Sequence, residues 1–168
     1  RYFSCSHEAS LYGEDEWKVT DRWNVDFGVN LSLFATGRKT YARLDPRVAS
    51  RYSFSEHLSA KASYTIMSQY VHRIASTYLD MPTDYWIPTT RELRPSHSQQ
   101  VAAGIYWHPA KGWDLSVEGF YKATQHMLMN KQWNGVMPSA SRWNKDMTEG
   151  TGRSYGMEIE ARYRSERL

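Results

Sequence analysis

From Trp23 to Leu33 the chain reads WNVDFGVNLSL. Trp23, Val25, Phe27, Val29, Leu31 and Leu33 alternate without a break against Asn24, Asp26, Gly28, Asn30 and Ser32. Period-two alternation is the mark of a strand with one apolar and one polar face. Length decides which kind of strand. A globular strand averages about five or six residues, whereas a strand that crosses a membrane in a barrel needs about nine to eleven. This segment belongs to the second class.

The pattern recurs along the chain. Leu58, Ala60, Ala62, Tyr64 and Ile66 form one apolar row, and Val101, Ala103, Ile105 and Trp107 another. Trp113, Leu115, Val117 and Gly119 form a third, followed by Tyr155, Met157, Ile159, Ala161 and Tyr163. Ala9–Trp17 and Val48–Phe54 are weaker examples. In the first, Asp15 shares the parity of Leu11 and Trp17, and a bulge would be needed to turn it away. The count is about seven strands, so the expected fold class is all-β, an antiparallel up-and-down transmembrane barrel segment.

Connectors support this topology. Thr20–Arg22, Ser55–His57 and Pro109–Gly112 are short, while Phe34–Asp45, Ser68–Ser98 and Thr124–Gly150 are long. Outer-membrane barrels sort their connections this way, with tight turns inside and long loops outside. Trp17 and Trp23 flank the first short turn, Phe54 precedes the second, and Trp107 and Trp113 flank the third. Amphipathic rings at the headgroup level form such a girdle. The opposite parity carries Glu14, Glu16, Arg51, Lys61, Glu118, Lys122, Glu158, Glu160 and Arg162. A Lys or Arg facing lipid at mid-bilayer costs about 2–4 kcal/mol, so these side chains are expected to face a wet lumen. Trp23, Val25, Phe27, Val29 and Leu31 are expected to face lipid.

Composition excludes other classes. Mean hydropathy is −0.70 and no stretch approaches the ~20 apolar residues of a spanning helix. Barrel strands escape hydropathy because their two faces average out. A single cysteine, Cys5, makes neither a disulfide nor a Cys-based metal site, and a net charge of +3 from scattered residues is no nucleic-acid footprint. No Ser-His-Asp order, nucleotide loop or poised carboxylate pair is found, so no enzyme, cofactor or metal site is expected. His72, His97 and His126 lack ligand spacing.

Four segments together resemble the barrel of TonB-dependent receptors: SLYGEDEWKVTDRWNVDFGVNLS (Ser10–Ser32), LDPRVASRYSFSEHLSAKASYTIMSQY (Leu44–Tyr70), SQQVAAGIYWHPAKGWDLSVEGFYK (Ser98–Lys122) and GTGRSYGMEIEARY (Gly150–Tyr163). The insert Met81–Ser98 further resembles receptors from Bacteroidetes-type organisms. The resemblance implies a 22-stranded barrel in the outer membrane of a Gram-negative bacterium, plugged by an N-terminal domain. Such receptors import a siderophore, haem, cobalamin, peptide or glycan with energy relayed by TonB. On this reading residues 1–168 are part of the barrel domain, without the plug, the TonB-contacting segment or the terminal strands. Expected partners are outer-membrane lipid, the protein's own plug, the TonB complex and an extracellular nutrient.

Ligand capture would fall to the long loops. The first carries Tyr70, His72, Arg73, Tyr78, Tyr85, Trp86, Arg91 and Arg94; the second carries His126, Met127, Met129, Trp133, Arg142 and Trp143. Aromatic faces with guanidinium groups suit aromatic or anionic chelates, and also sugars. Loops of this length also pack on their own aromatics. The rival functions are a passive porin or adhesin barrel, and a soluble carbohydrate-binding β-sandwich. One pair of substitutions tests the facing. Val29→Arg is expected to block barrel insertion while Asn30→Arg is tolerated, measured by heat-modifiable gel migration of the membrane-inserted protein; equal tolerance at both sites reverses the faces.

Overall fold

The structure, a computed structural model, describes residues 5–37, 39–74, 85–130 and 147–165. The candidates Tyr78, Trp133, Arg142 and Trp143 lie outside them. Among the described residues the order is β1 (Ser6–Thr20), β2 (Trp23–Thr36), β3 (Lys39–Ser53), β4 (Leu58–Gln69), β5 (Val71–Ile74), β6 (Tyr85–Pro88), β7 (Ser96–Trp107), β8 (Trp113–Asn130) and β9 (Met147–Tyr163). Seven strands form one antiparallel sheet, β1-β2-β3-β4-β7-β8-β9, and β5 pairs with β6 as a separate hairpin. The sheet is a meander with that hairpin inserted between β4 and β7.

Cross-strand partners share a face, so register converts the sequence parity into geometry. Leu11 opposes Leu31, which opposes Leu44; Trp17 opposes Val25; Phe27 opposes Val48. Ile105 opposes Val117, which opposes Ile159. This apolar face is exposed from end to end: Leu31 is 42%, Phe27 53%, Ile105 56% and Ile159 67% accessible. Among the described residues the large buried apolar side chains are Phe34, Tyr70, Ile87, Leu93 and Met147, with Pro95 beside them in the chain. A β-sandwich needs a second sheet packed about 10 Å away over a shared core. Among the described residues the other sheet is the short β5–β6 hairpin and none covers the apolar face, which does not suit the rival sandwich reading.

The turn-side ends step regularly. Trp23 opposes Tyr52, but Tyr52 opposes Ala60 rather than Leu58. Leu58 opposes Trp107, which opposes Leu115 rather than Trp113, and Trp113 opposes Tyr163. Each hairpin is thus displaced by two residues from the one before. With these aromatic ends level, a rise of about 3.3 Å per residue and a strand spacing of about 4.8 Å give a tilt of about 35°, within the range of closed barrels. The rings also brace one another: Trp113 and Tyr163 lie 5.1 Å apart, and Tyr52 and Phe54 5.0 Å apart.

Three details differ from the sequence expectation. Phe34–Asp45 is not a long loop, because β2 runs to Thr36, β3 starts at Lys39, and these two residues pair around a turn containing Gly37. The alternation stops at Phe34 only because Phe34 is on the polar face and is covered there. His126, Met127 and Met129 lie in β8, which continues to Asn130. Asp15 is not turned away: it opposes Phe27 in continuous register, and the shift sits between Lys18 and Thr20. Asp15 remains exposed on the apolar face.

Gly112 closes the third short turn at φ 84°, and a Cβ there would stand 2.5 Å from the Arg164 carbonyl oxygen. Neither condition admits a side chain cheaply. Gly112→Ala is expected to lower barrel stability by roughly 1–3 kcal/mol, whereas Gly13→Ala, with open space around it, stays within about 0.5 kcal/mol. Urea unfolding of the lipid-reconstituted protein measures both.

Candidate functional site

The strands exceed what a bilayer requires. β8 and β9 contain 18 and 17 residues, against about nine to eleven for a crossing. At the tilt above each residue climbs about 2.7 Å, so Tyr70 and Glu149 stand more than about 30 Å from the turn-side ends and beyond an apolar band of about 25 Å. The buried side chains gather at this end.

What covers them is the described part of the insert, Tyr70–Ile74 and Tyr85–Ser96. In its hairpin Val71 opposes Pro88, His72 opposes Ile87 and Arg73 opposes Trp86. The Thr89 amide donates to the Tyr70 carbonyl (2.7 Å), which extends the pairing by one step. Alternation then gives the hairpin two faces. Tyr70, His72, Ile87 and Thr89 point inward and are buried; Arg73 and Trp86 point outward and are exposed.

The inward face is seated on the polar face of the sheet. The Tyr70 ring stacks on Phe34 at 5.0 Å, and its hydroxyl pairs with Ser32 Oγ at 2.7 Å. Burial, partly offset by the Ser32 bond, raises the Tyr70 pKa above 10.0. Tyr41 donates its hydroxyl hydrogen to the Thr90 carbonyl (2.5 Å). Ile87, Leu93 and Met147 form a small cluster against Leu128. Past it, the Arg94 amide and guanidinium donate to Glu149 (2.7 and 2.8 Å), whose carboxylate also meets His126 Nδ1 at 2.9 Å. Burial works to raise the Glu149 pKa, but the bonds from Arg94 and His126 outweigh it and hold the group below 4.5. One strap therefore joins β2 and β3 on one side to β8 and β9 on the other.

β8 reaches this cluster through a bulge. Gln125 and His126 stand against Thr151 alone, and His126 takes φ 55°. Past it the side-chain parity of β8 reverses, so Met127 and Met129 lie over Gly152 and Gly150, where a Cβ would come within 2.5 and 2.6 Å of the sulfurs.

The capture candidates thus separate. Tyr70 and His72 face inward, Arg94 is tied to Glu149, and Arg73, Trp86 and Arg91 are exposed; of Tyr85 only the backbone is described. Ser32, Phe34, Tyr41 and Glu149 belong to the seat and were not among the candidates. Phe34 had a signal, since it is an aromatic residue on an otherwise polar parity.

Lower on the same polar face, Lys18, Asn24, Arg51, Lys61, Gly104, Glu118 and Glu158 form one row across all seven strands. Its first half is basic and its second half acidic. Lys61 lies over the Tyr106 ring (4.5 Å), and Tyr106 donates to Glu118 (2.6 Å) across Gly104, where a Cβ would press on both. Two rows up, Arg47 reaches over Gly28 to pair with Glu14. Glu160 pairs with Arg162 (2.5 Å). Around this row Glu16, Asp26, Arg51, Lys61 and Glu118 rim an open concavity of about 440 Å³ floored by Ala49, Ser63, Ala102 and Gly104. The charged set and the apolar set named from the sequence lie on opposite faces.

Comparison with known proteins bears on this geometry. Residues 4–167 match the family model described as TonB dependent receptor-like, beta-barrel. The FrpB iron transporter from Neisseria meningitidis is similar in fold, with a TM-score of 0.69 at 17% identity over 96% of this chain and 24% of that one. The siderophore receptor PirA from Pseudomonas aeruginosa gives 0.64 at 12% identity over 92% of this chain and 30% of that one. The ferripyoverdine receptor of the Pseudomonas aeruginosa outer membrane gives 0.59 at 18% identity, covering 94% and 20%. The chain spans between a fifth and a third of these proteins. No curated protein sequence matches it.

Glu149→Gln is expected to loosen the strap, since it removes the charge that holds Arg94 and His126. Trypsin should cut the folded protein after Arg91 several times faster than in the unaltered protein. The same loosening is expected when the unaltered protein is taken below pH 4.5. A carboxylate held below 4.5 stabilises the closed strap above that pH and loses its contribution as pH falls through its lowered pKa.

Proposed function

The chain belongs to the TonB-dependent receptor β-barrel family, and on that premise we propose that it forms part of the barrel of an outer-membrane importer of a scarce nutrient. The observation that supports this most is the family match across residues 4–167. Physical chemistry agrees with it. A sheet with one exposed apolar face, on which Asp15 and Arg153 are exceptions, and with most of its charges on the other suits oil on one side and water on the other. In this reading Trp23, Val25, Phe27, Val29 and Leu31 face lipid, and Glu14, Glu16, Lys61, Glu118, Glu158 and Glu160 face the lumen. β1 and β9 are sheet edges, and unpaired edges in lipid are costly, so further strands of the same protein close the barrel.

The charged row argues for a plug rather than an open pore. Arg51 opposes Lys61 and Glu118 opposes Glu158, each pair of like charge directly across from each other. Such pairs are destabilising unless counter-charges lie between them. A plug domain presenting acidic groups to the first pair and basic groups to the second satisfies both. A passive porin leaves them to water.

Among nutrients, siderophore-type chelates come first, because the solved neighbours named above are an iron transporter, a siderophore receptor and a ferripyoverdine receptor. Haem, cobalamin, peptide and glycan are the alternatives. A deletion strain is expected to lose growth on one such source when it is supplied alone. Growth returns with the full-length gene and fails when the TonB system is inactivated. Uptake that continues without TonB overturns the import reading in favour of a passive barrel.

A further inference from the structure

The seat of the β5–β6 hairpin contains an unsatisfied group in a telling position. His72 is 8% accessible, and among the described residues its Nε2 has no hydrogen-bond partner; Thr89 Oγ1, on the same inward face, is fully buried and also has none there. Each such atom costs roughly 1–3 kcal/mol while the hairpin is seated, and regains water if it lifts. The seat is therefore weakest at its hairpin end. At the other end Arg94 and His126 converge on Glu149.

We propose that the hairpin is an acid-released roof: it stays seated on the wall while His72 is neutral, and lifts about the Arg94–Glu149–His126 contact when His72 takes up a proton. The two histidines stand in different surroundings. A charge on His126 meets the Glu149 carboxylate at 2.9 Å. A charge on His72 meets no acceptor at Nε2 among the described residues. Among the described residues, the charged and titratable groups around the seat include Tyr70 and Arg73 on the hairpin, Glu8 on β1, Tyr41, Arg43 and Asp45 on β3, His97 on β7, His126 on β8, Glu149 on β9, and Glu92 and Arg94 between β6 and β7. Asp45 accepts hydrogen bonds from Ser68 (2.8 and 3.1 Å), and Glu149 is taken by Arg94 and His126. Ser32 and Phe34 of β2 carry no charge.

Burial holds the His72 pKa below its ordinary 6.5 in the seated state. The lifted state regains the ordinary value and binds more protons. Seating is therefore intact above pH 6.5 and weakens as pH falls below it, by up to about tenfold per unit for one proton. On the barrel reading, the surface that opens is the lumen side of β2 and β3 at the outer end. The test does not depend on import.

Hydrogen exchange of the full-length protein in detergent micelles reads the roof directly. After correction for intrinsic rates, protection of the hairpin amides (71–74 and 85–87) is expected to fall several-fold to tenfold between pH 7 and pH 5.5. The Arg94 amide and the strand amides of β2 and β3 should keep theirs. His72→Phe and His72→Gln should each remove the pH response, whereas Thr89→Val should keep it. Unchanged protection in the unaltered protein, or the same loss in His72→Gln, overturns the proposal. Loss of Arg94 protection in step with the hairpin overturns the hinge.

Discussion

A bilayer core offers no hydrogen-bonding partner to the backbone, so each peptide group there must find one on a neighbouring strand. That constraint organises the rest. It requires long strands in unbroken register, which β1 to β4 and β7 to β9 supply in chain order. It also fixes the side chains, because once the ladder is set, parity alone decides which solvent a residue meets. The two-residue step from hairpin to hairpin follows from the same ladder, and it tilts the strands enough to curl the sheet.

The membrane-spanning part of the fold was legible because two solvents wrote it. Wherever one face meets oil and the other water, alternation is enforced, and Trp23–Leu33 and Tyr155–Tyr163 carry that alternation. Above the membrane that pressure ends. Phe34 and Tyr41 sit on the polar face because a strap covers them there, and their presence disguised the continuation of β2 into β3 as a loop. The bulge at Gln125–His126 was equally hidden, since a parity reversal in a segment without a lipid face leaves no pattern to break. In the insert the alternation of Tyr70 and His72 against Val71 and Arg73 was present in the sequence. Without a register to the sheet, it could not say which row faces in.

Glycines on the polar face have a different job from those in turns. Gly28 lets Arg47 cross it to reach Glu14, and Gly104 gives Tyr106 and Glu118 room to meet. In both places a strand forgoes its own side chain so that its neighbours' longer ones can lie flat along the wall. The result is a polar face that is charged yet shallow, its concavity floored by alanine, serine and glycine. On the reading proposed above, a wall of this shape leaves the space in front of it to the plug, and its row of basic then acidic residues would orient that plug.

The strap carries the argument from wall to function. A long loop held at one end could sweep the barrel mouth; this one is tied to β2 and β3 by Tyr70 and Thr90 and to β9 by Arg94. Ordering such a segment costs conformational entropy for every residue. The stacking of Tyr70 on Phe34 and the small Ile87–Leu93–Met147 cluster offset that cost only where they touch. The hairpin must therefore present its outward row, Arg73 and Trp86, from a nearly fixed position while seated. Contacts made there depend on the seat beneath them, so a substitution at Tyr70 or Phe34 alters what the outward row meets without touching it.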